Sequence, residues 1–343
     1  MRQATIREVA TRAGVSVATV SRVLNGYPFV SDDARRRVVD AVDEFEYRPD
    51  VAARSMRTGT TRAVGLVVSD FSNPLFSTIA KGADTVLGPH GYSLVLANSM
   101  SDRVRESEAM AALRQRRVDG LIVAVADERA RGLADRLDAF TASVLIDREV
   151  PASNADAVCS EHASGIADAL AYLARLGHRR VALVAGSKRQ LGSRARIESF
   201  LAERPGLGLD EDDSLLVTGE LSPETGYLAT TRLLALEDPP TALVAGNNQL
   251  VVGAISALRD LGLRIPDDVS LVGCDDTDLT RLHDPPIDVV SRDLLALGRT
   301  AAELLLARLL DPAAPPWRVS LPTTFVPRAS SASLSRLEEV AGP

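Results

Sequence analysis

The sequence predicts an α/β protein, with a short helical module at its N-terminus and a larger core of parallel β-sheets behind it. Three capped helical patterns fill the first 47 residues, and from residue 62 onward short apolar runs alternate with amphipathic stretches. The 343 residues allow two or three compact units. A charged fraction of 25% and a hydrophobic fraction of 45% are ordinary for a soluble globular protein.

The first two helices carry the signals of a helix-turn-helix. Thr5 and Glu8 form a capping box, and Gly14 is free to take positive φ at the turn. Ser16 can cap a second helix over Val17 to Asn25. The small core of this motif would consist of Ile6, Val9, Ala10, Val15, Val20 and Leu24. A third helix after Ser31 would place on one face Ala34, Val38, Ala41, Val42 and Phe45.

The outer face of the second helix would carry Val17, Ala18, Ser21 and Arg22. An arginine can donate two hydrogen bonds to guanine, and small apolar side chains suit the methyl group of thymine. A helical hairpin by itself also occurs as a purely structural unit, and that alternative stays open on the pattern alone. The charge distribution favours DNA, because residues 1–62 have a net charge of +3 and the remaining residues −10.

The segment from Asp50 to Gly59 has a capping residue, a helix-forming middle and a glycine stop. Its helical part, about eight residues, is shorter than the ~12 to 15 that an isolated helix needs. Two interpretations remain: a frayed linker, or a segment that folds only on DNA and inserts Met56 between bases of the minor groove.

The remainder of the chain is typical of a parallel sheet that is covered on both faces. Eight apolar runs occur at 64–68, 92–97, 120–126, 143–146, 181–185, 214–217, 242–245 and 270–273. Eight strands suggest two doubly wound halves, and such sheets bind ligands at the carboxyl ends of their strands. Polar residues that follow the runs are Asp70, Asn98, Asp147, Asn247 and Asp275. Each of these alone is more often a turn or cap residue than a ligand contact.

The sequence lacks the signals that mark several other classes of protein. No apolar run is long enough to span a bilayer, and no secretory signal precedes the helical module, which disfavours an exported solute-binding protein. Cys159 and Cys274 are too few for a disulfide scaffold. Enzyme motifs are absent, and the loop from Gly186 to Gly192 resembles a phosphate-binding loop only superficially. We therefore expect a cytoplasmic protein that is not an enzyme, with no cofactor, no metal and no membrane partner.

A series of motifs in order along residues 4 to about 328 resembles the lactose-repressor (LacI) family of bacterial transcription regulators. The motifs are Thr5-Ile-Arg-Glu-Val-Ala-Thr-Arg-Ala-Gly-Val-Ser-Val-Ala-Thr-Val-Ser-Arg-Val-Leu-Asn-Gly26, Tyr47-Arg-Pro, Ala52-Ala-Arg-Ser-Met-Arg57, Ser72-Asn-Pro-Leu-Phe76, Arg117-Val-Asp-Gly-Leu-Ile122, Leu176-Gly-His-Arg-Arg-Val181, Val269-Ser-Leu-Val-Gly-Cys-Asp275 and Pro285-Pro286. This extended agreement is specific to the family.

The resemblance implies a helix-turn-helix headpiece and a two-subdomain, periplasmic-binding-protein-like core of parallel sheets, with crossovers near 156–162, 288–292 and 319–323. The expected divisions are a DNA-binding headpiece at 1–47, a hinge helix or linker at 48–61, an effector-binding and dimerisation core at 62–329, and a polar tail at 330–343. Within the core, one subdomain would span about 62–158 and 290–319, and the other about 159–289 and 320–329.

The resemblance also implies a homodimer that reads a pseudo-palindromic DNA operator, with paired hinge helices opening the minor groove at a central CG step. Val17, Ala18 and Arg22 would be the principal base readers. The full set of expected DNA contacts is Thr5, Ser16, Val17, Ala18, Thr19, Ser21, Arg22, Asn25, Ala53, Arg54 and Met56. The final residues hold barely one apolar heptad, so we expect a dimer rather than a tetramer.

For the effector, the resemblance implies contacts from Leu75, Phe76, Asp147, Arg196, Leu221, Asn247 and Asp275. The chain departs from the family pattern where Leu75, Leu221 and Leu294 stand at positions that are often aromatic. Leucine gives an apolar surface without directional ring stacking. The function expected is a transcription regulator, a repressor, modulated by a small polar molecule. A sugar, a sugar phosphate, a nucleoside-like ligand and loss of response all stay open.

Overall fold

The computed structural model describes residues 4–24, 26–47, 59–151 and 153–334. The chain divides into two compact units, Met1–Thr61 and Arg62–Pro343. Four of the expected DNA contacts lie outside the described residues: Asn25, Ala53, Arg54 and Met56. Over the part of the chain that is described, no helix is both long and apolar enough to cross a membrane.

The N-terminal unit contains three helices, α1 (Ile6–Ala13), α2 (Val17–Leu24) and α3 (Asp32–Glu44). The predicted capping box is present, because the Thr5 N–H donates to Glu8 Oε2 at 2.7 Å and the Glu8 N–H donates to Thr5 Oγ1 at 3.4 Å. Gly14 ends α1 with a φ of 63°, a conformation in which a side chain is unfavourable. The core joins all three helices through Val9, Ala10, Ala13, Val20, Val23, Val38 and Ala41.

The second unit contains two six-stranded sheets. The first has the order β11-β5-β4-β3-β1-β2 and is parallel throughout. Its strands are β1 (Ala63–Val68), β2 (Ser93–Asn98), β3 (Gly120–Val123), β4 (Ser143–Ile146), β5 (Asp156–Ser160) and β11 (Arg318–Leu321). The helices of this subdomain are α4 (Pro74–Leu87), α5 (Arg103–Gln115), α6 (Leu133–Asp138) and α12 (Leu294–Leu310).

The second sheet has the order β12-β10-β9-β8-β6-β7, and only the β10–β12 pair is antiparallel. Its strands are β6 (Val181–Gly186), β7 (Leu216–Gly219), β8 (Ala242–Ala245), β9 (Ser270–Cys274), β10 (Asp288–Arg292) and β12 (Thr323–Val326). Its helices are α7 (His162–Arg175), α8 (Leu191–Gly206), α9 (Pro223–Leu234), α10 (Asn248–Asp260) and α11 (Asp278–Leu282). Buried strands in both sheets are almost wholly apolar, as two-sided burial requires.

The chain passes between the sheets three times, after Ser160, after Arg292 and after Leu321. The first and third passages fall inside the predicted ranges, and the second falls one residue beyond its range. Four strands, β5, β10, β11 and β12, are absent from the eight apolar runs. They are four or five residues long and each contains polar residues, so no continuous apolar run marks them. In addition, β11 and β12 pair with strands that are distant in sequence.

Residues 330–334, which the sequence assigns to a polar tail, contact the second subdomain in the structure. Ser330 is fully buried: its hydroxyl donates to the Leu271 carbonyl at 2.5 Å and accepts from the Asp288 N–H at 2.7 Å. The Ala332 N–H donates to Ser270 Oγ at 3.1 Å. Because these polar atoms find partners inside the second subdomain, small serine and alanine residues can be buried there, and the segment belongs to the core through at least Leu334.

Helices α4 and α12 pack at very short range on the first sheet. A Cβ atom added at Gly298 would lie 2.0 Å from the Ile79 carbonyl oxygen, and one added at Gly82 would lie 2.3 Å from the Leu295 carbonyl oxygen. Both obstacles are backbone atoms of the facing helix, so they cannot move independently of it. Glycine at these positions is what allows the two helices to approach each other.

We predict that Gly298→Ala lowers the free energy of unfolding by about 1 to 3 kcal/mol, because α4 and α12 must separate to admit the methyl group. Gly206→Ala, at the end of α8, is the matched control, since a Cβ atom there meets nothing within 4 Å. The control should be neutral or gain up to about 1 kcal/mol. Urea unfolding measures both, and equal stabilities would contradict the packing argument.

Candidate functional site

A cleft of about 760 Å³ lies between the two sheets, where the carboxyl ends of their strands face each other. The seven residues expected to contact an effector all line this one cleft: Leu75, Phe76, Asp147, Arg196, Leu221, Asn247 and Asp275. Leu294, in contrast, packs in the core of the first subdomain. Asp70 is at the cleft as well but accepts hydrogen bonds from Ser72, and Asn98 accepts one from the Met100 N–H, as turn residues do.

The base of the cleft is crossed by one arginine, Arg292, that the sequence analysis did not single out. Its Nε donates to Asp275 Oδ1 at 2.6 Å, and its Nη1 donates to Asp147 Oδ2. Asp147 directly follows β4 in the first subdomain, and Asp275 directly follows β9 in the second. Arg292 is the last residue of β10, immediately before the chain passes to α12. One guanidinium group therefore joins both halves of the core.

The side chains of Asp147 and Arg292 are largely shielded from solvent, and this burial affects the ionisation of both. Burial opposes ionisation of Asp147, but the charge of Arg292 and the hydrogen bonds from His162 and Ser160 outweigh it and hold the pKa of Asp147 well below its usual value. Burial likewise opposes the charge of Arg292, yet the two carboxylates raise its pKa above the usual value. Asp147 and Arg292 therefore stay ionised as a pair at neutral pH.

Both aspartates adopt left-handed backbone conformations, with φ of 49° at Asp147 and 73° at Asp275. Such a conformation is strained for a residue with a side chain and commonly marks a functional site. Each carboxylate also accepts from a backbone N–H group, one at the end of β5 and one at the start of α10. The Ser160 N–H donates to Asp147 Oδ1 at 2.7 Å, and the Asn248 N–H donates to Asp275 Oδ2 at 3.3 Å. The strain is thus held by the same groups that organise the cleft.

His162, the first residue of α7, lies 3.5 Å from Asp147 through its Nε2 atom. Burial lowers the pKa of His162 to about 4, and the charge of Arg196 acts in the same direction, while the contact with Asp147 only partly opposes them. His162 is therefore neutral at pH 7, and its contact with Asp147 is a hydrogen bond rather than an ion pair.

Two further bridges connect the subdomains across the cleft. The side-chain amides of Asn73 and Asn248 exchange hydrogen bonds at 3.0 and 3.3 Å. Glu128, from the first subdomain, accepts from the Leu191 N–H at 2.6 Å and lies 3.4 Å from Arg194. These bridges and the Arg292 triad hold the two halves together through protein groups alone.

Arg196 lines the same cleft but has a different environment. Its side chain belongs to the second turn of α8 and is only 5% exposed. Among the residues that the structure describes, no carboxylate forms an ion pair with it. The described residues also contain no group of three metal-binding side chains.

In the N-terminal unit, α2 buries Val20 and Val23 and exposes its opposite side. Val17 is 42% exposed, and Ala18 and Arg22 are exposed as well. Ser16 Oγ accepts from the Thr19 N–H at 3.1 Å, so Ser16 caps this helix as expected. Thr5 is occupied by its capping box, and Ser21 is half-buried. The solvent-facing side of α2 therefore presents two small apolar side chains and one arginine.

A helix-turn-helix unit followed by a two-subdomain core with a polar cleft defines the class of ligand-responsive transcription regulators. Residues 5–50 match the family described as "Bacterial regulatory proteins, lacI family", and residues 170–331 match "Periplasmic binding protein-like domain". The chain belongs to the LacI family. It is a DNA-binding transcription regulator with an effector-binding domain, so the predictions of its family, fold class and non-enzymatic function are confirmed.

The chain is similar to the HTH-type transcriptional repressor PurR of Haemophilus influenzae (strain PittEE), with 34% identity over 307 residues, which covers 89% of this chain and 91% of that protein. Among solved structures it is similar to the lac repressor dimer bound to operator and the anti-inducer ONPF, with a TM-score of 0.85 and 26% identity over 96% of this chain and 100% of that one. It is also similar to the transcriptional regulator CelR–cellobiose complex, with a TM-score of 0.72 and 29% identity over 96% of this chain and 100% of that one.

We predict that stability falls as the pH is lowered from about 6.5 towards 4, because the unfolded chain then protonates His162 while the folded chain keeps it neutral. The loss is about 1.4 kcal/mol per pH unit for this one group. Urea unfolding of the native chain and of His162→Gln between pH 7 and pH 5 measures it. The variant should show a shallower slope, and identical slopes would contradict the assignment. Asp147, with its lowered pKa, affects stability only at more acidic pH.

Proposed function

We propose that this protein is a repressor that binds a pseudo-palindromic operator as a homodimer, and that a small polar effector in the cleft changes its affinity for that operator. The observation that carries the proposal is the location of the cleft. Its lining residues come from both subdomains, so a ligand there contacts both and can favour one relative arrangement over another. An effector shifts an equilibrium only through such differential affinity.

For DNA recognition we propose that α2 enters the major groove. Arg22 would donate to guanine O6 and N7, with Val17 and Ala18 against thymine methyl groups. Thr5, Ser16, Thr19, Ser21 and Asn25 would contact the neighbouring backbone or base edges. Ala53, Arg54 and Met56 would reach the minor groove. The exposed side of α2 supports this arrangement, because it combines a cation with side chains that are small enough to approach the bases.

We predict that Arg22→Ala weakens binding to the specific operator by about 1 to 3 kcal/mol and relaxes base preference at one position. Arg36→Ala is the matched control, because Arg36 is an exposed arginine on α3 and its substitution removes the same charge from another face of the unit. Fluorescence anisotropy with operator and random duplexes, at one salt concentration, separates the two effects. If Arg22→Ala loses equal affinity for both duplexes, Arg22 is a phosphate contact and not a base reader.

A homodimer is proposed because one headpiece reads too few base pairs to specify an operator, whereas a twofold dimer matches a palindrome. The core has a surface suited to a second copy. Strand β2 is the edge of the first sheet, and the exposed apolar residues Leu96 and Val104 lie on it and at the start of α5. A cytoplasmic location follows from binding to the operator, with no membrane partner.

We predict a dimer in sedimentation velocity experiments at micromolar concentration. Replacing Leu96 and Val104 together by aspartate should shift the protein towards monomer, because charges cannot be buried at such a contact without a large desolvation cost. Leu310→Asp is the control, since Leu310 is an exposed leucine at the end of α12. A monomeric native chain would refute the proposed assembly. A dimer that survives the double substitution would place the contact elsewhere.

A further inference from the structure

We propose that the effector carries an acidic group, a carboxylate or a phosphate, and that Arg196 and the first turn of α8 receive it. This inference rests on the proposed function of the cleft and specifies the chemistry of its ligand. It follows from three features of the cleft: the pairing of its acidic residues, the isolation of Arg196 and the position of the α8 N-terminus.

The buried acidic residues of the cleft are already paired with arginines of the chain. Asp147 and Asp275 share Arg292. Asp127 lies 3.3 Å from Arg103. Of the other acidic residues that line the cleft, Asp70 accepts from Ser72 and Glu220 is exposed. A neutral polyhydroxylated ligand donates its hydroxyl protons to acceptors such as carboxylates. Here the oxygen atoms of the buried carboxylates already accept from guanidinium or backbone N–H groups, so a ligand hydroxyl would have to share each oxygen with a donor of the protein.

Arg196, in contrast, is a buried cation without an ion-pair partner among the described residues. Arg148, which also lines the cleft, donates to the carbonyls of Val125 and Asp147. Unpaired charges are rarely buried, because they lose hydration without compensation. A ligand anion would supply that compensation for Arg196, and a guanidinium can bind a carboxylate or a phosphate through two parallel hydrogen bonds.

The N-terminus of α8 adds a second group of donors at the same place. Gly192 and Ser193, in the first turn, line the cleft, and the N-cap residue Gln190 provides no side-chain cap. The Leu191 N–H is already occupied by Glu128. The first turn of a 16-residue helix has unsatisfied N–H groups and a partial positive charge, which favour an anion.

Gly192 keeps this turn close to the cationic side chain. A Cβ atom there would lie 2.8 Å from His162 Nε2 and 3.4 Å from Arg196 Nη1. The loop from Gly186 to Gly192, which resembles a phosphate-binding loop only superficially in sequence, leads directly into this turn. Asn247, the N-cap residue of α10, adds another donor. Its side-chain oxygen accepts from the Leu250 N–H at 2.8 Å, which leaves the NH₂ group of the same side chain as a donor towards the cleft. The available chemistry is therefore that of an anion receptor.

The test compares matched neutral and acidic probes by isothermal titration calorimetry on the full chain, at constant ionic strength. The probes are ribose against ribose 5-phosphate, glucose against gluconate and glucose 6-phosphate, and inorganic phosphate alone. We expect at least one acidic probe to bind about tenfold or more tightly than its neutral partner. Gluconate and glucose 6-phosphate distinguish a carboxylate from a phosphate as the preferred group.

Arg196→Gln should abolish the preference for the acidic probe, and Arg196→Lys should retain part of it. Arg175→Gln, which removes an exposed arginine of α7 outside the cleft, should leave the preference unchanged. If Arg196→Gln does not fold, Ser193→Asp provides the independent variant, because a carboxylate at the first turn of α8 should repel the acidic probe and spare the neutral one.

Three results would overturn the inference: neutral probes that bind as tightly as acidic ones, an Arg196→Gln variant that keeps the preference, or no saturable binding of any acidic probe at tens of millimolar. Operator binding is measured separately by fluorescence anisotropy. A protein that binds its operator but no anion refutes the acidic effector only. A protein that binds the anion through Arg196 but no operator refutes the proposed function and leaves the cleft chemistry intact.

Discussion

The ion triad of Asp147, Arg292 and Asp275 is the interaction on which the arrangement of the core depends. Each sheet delivers one carboxylate to the base of the cleft, and each carboxylate would be an uncompensated buried charge without the guanidinium between them. Removing one partner from such a buried network typically costs about 3 to 5 kcal/mol. Because Arg292 lies at a passage between the subdomains, the same contact that neutralises the acids also fixes the two halves relative to each other. Of the other bridges, the Asn73–Asn248 pair is neutral and the Glu128 carboxylate is buried against the first turn of α8, and both add to the contact that the triad makes.

This constraint bears on how an effector could act. The halves are already joined by protein groups, through the triad, the Asn73–Asn248 amide pair and Glu128. A ligand therefore does not have to create the joined arrangement; it has to change the relative free energy of that arrangement and an alternative one. Allosteric coupling energies are typically about 1 to 3 kcal/mol, which one or two new charge-assisted hydrogen bonds can supply. Asp147 and Asp275, which lie where the two halves meet, both have a left-handed backbone conformation that is strained for a residue with a side chain.

The helical module could be predicted almost completely from the sequence, because its determinants are local. Thr5 and Glu8 are three residues apart, and Gly14 and Ser16 mark adjacent helix ends. The strand-end rule also located Asp147 and Asp275, since a polar residue after an apolar run is visible in sequence. The role of Arg292 was not predictable in this way. Its partner Asp147 is 145 positions distant, and nothing local distinguishes an arginine that neutralises a buried acid from one that faces solvent. The burial of Ser330 was missed for the same reason, because its partners Leu271 and Asp288 are distant in sequence. The strands β5, β10, β11 and β12 were missed because polar residues interrupt their apolar positions.

The difference between sequence and structure at the cleft lies in which groups remain available to a ligand. The resemblance to the family assigns Asp147, Asn247, Asp275 and Arg196 to the effector as a set of donors and acceptors. Arg292 removes the two carboxylates from that set, and what remains is dominated by donors: Arg196, the amide of Asn247 and the first turn of α8. A neutral ligand gains little from such a site, because it must satisfy a buried cation with weak acceptors. An acidic group would pair with the guanidinium of Arg196 and offset the desolvation of that buried cation, so Arg292, by occupying the two carboxylates, favours an anion as the ligand of this cleft.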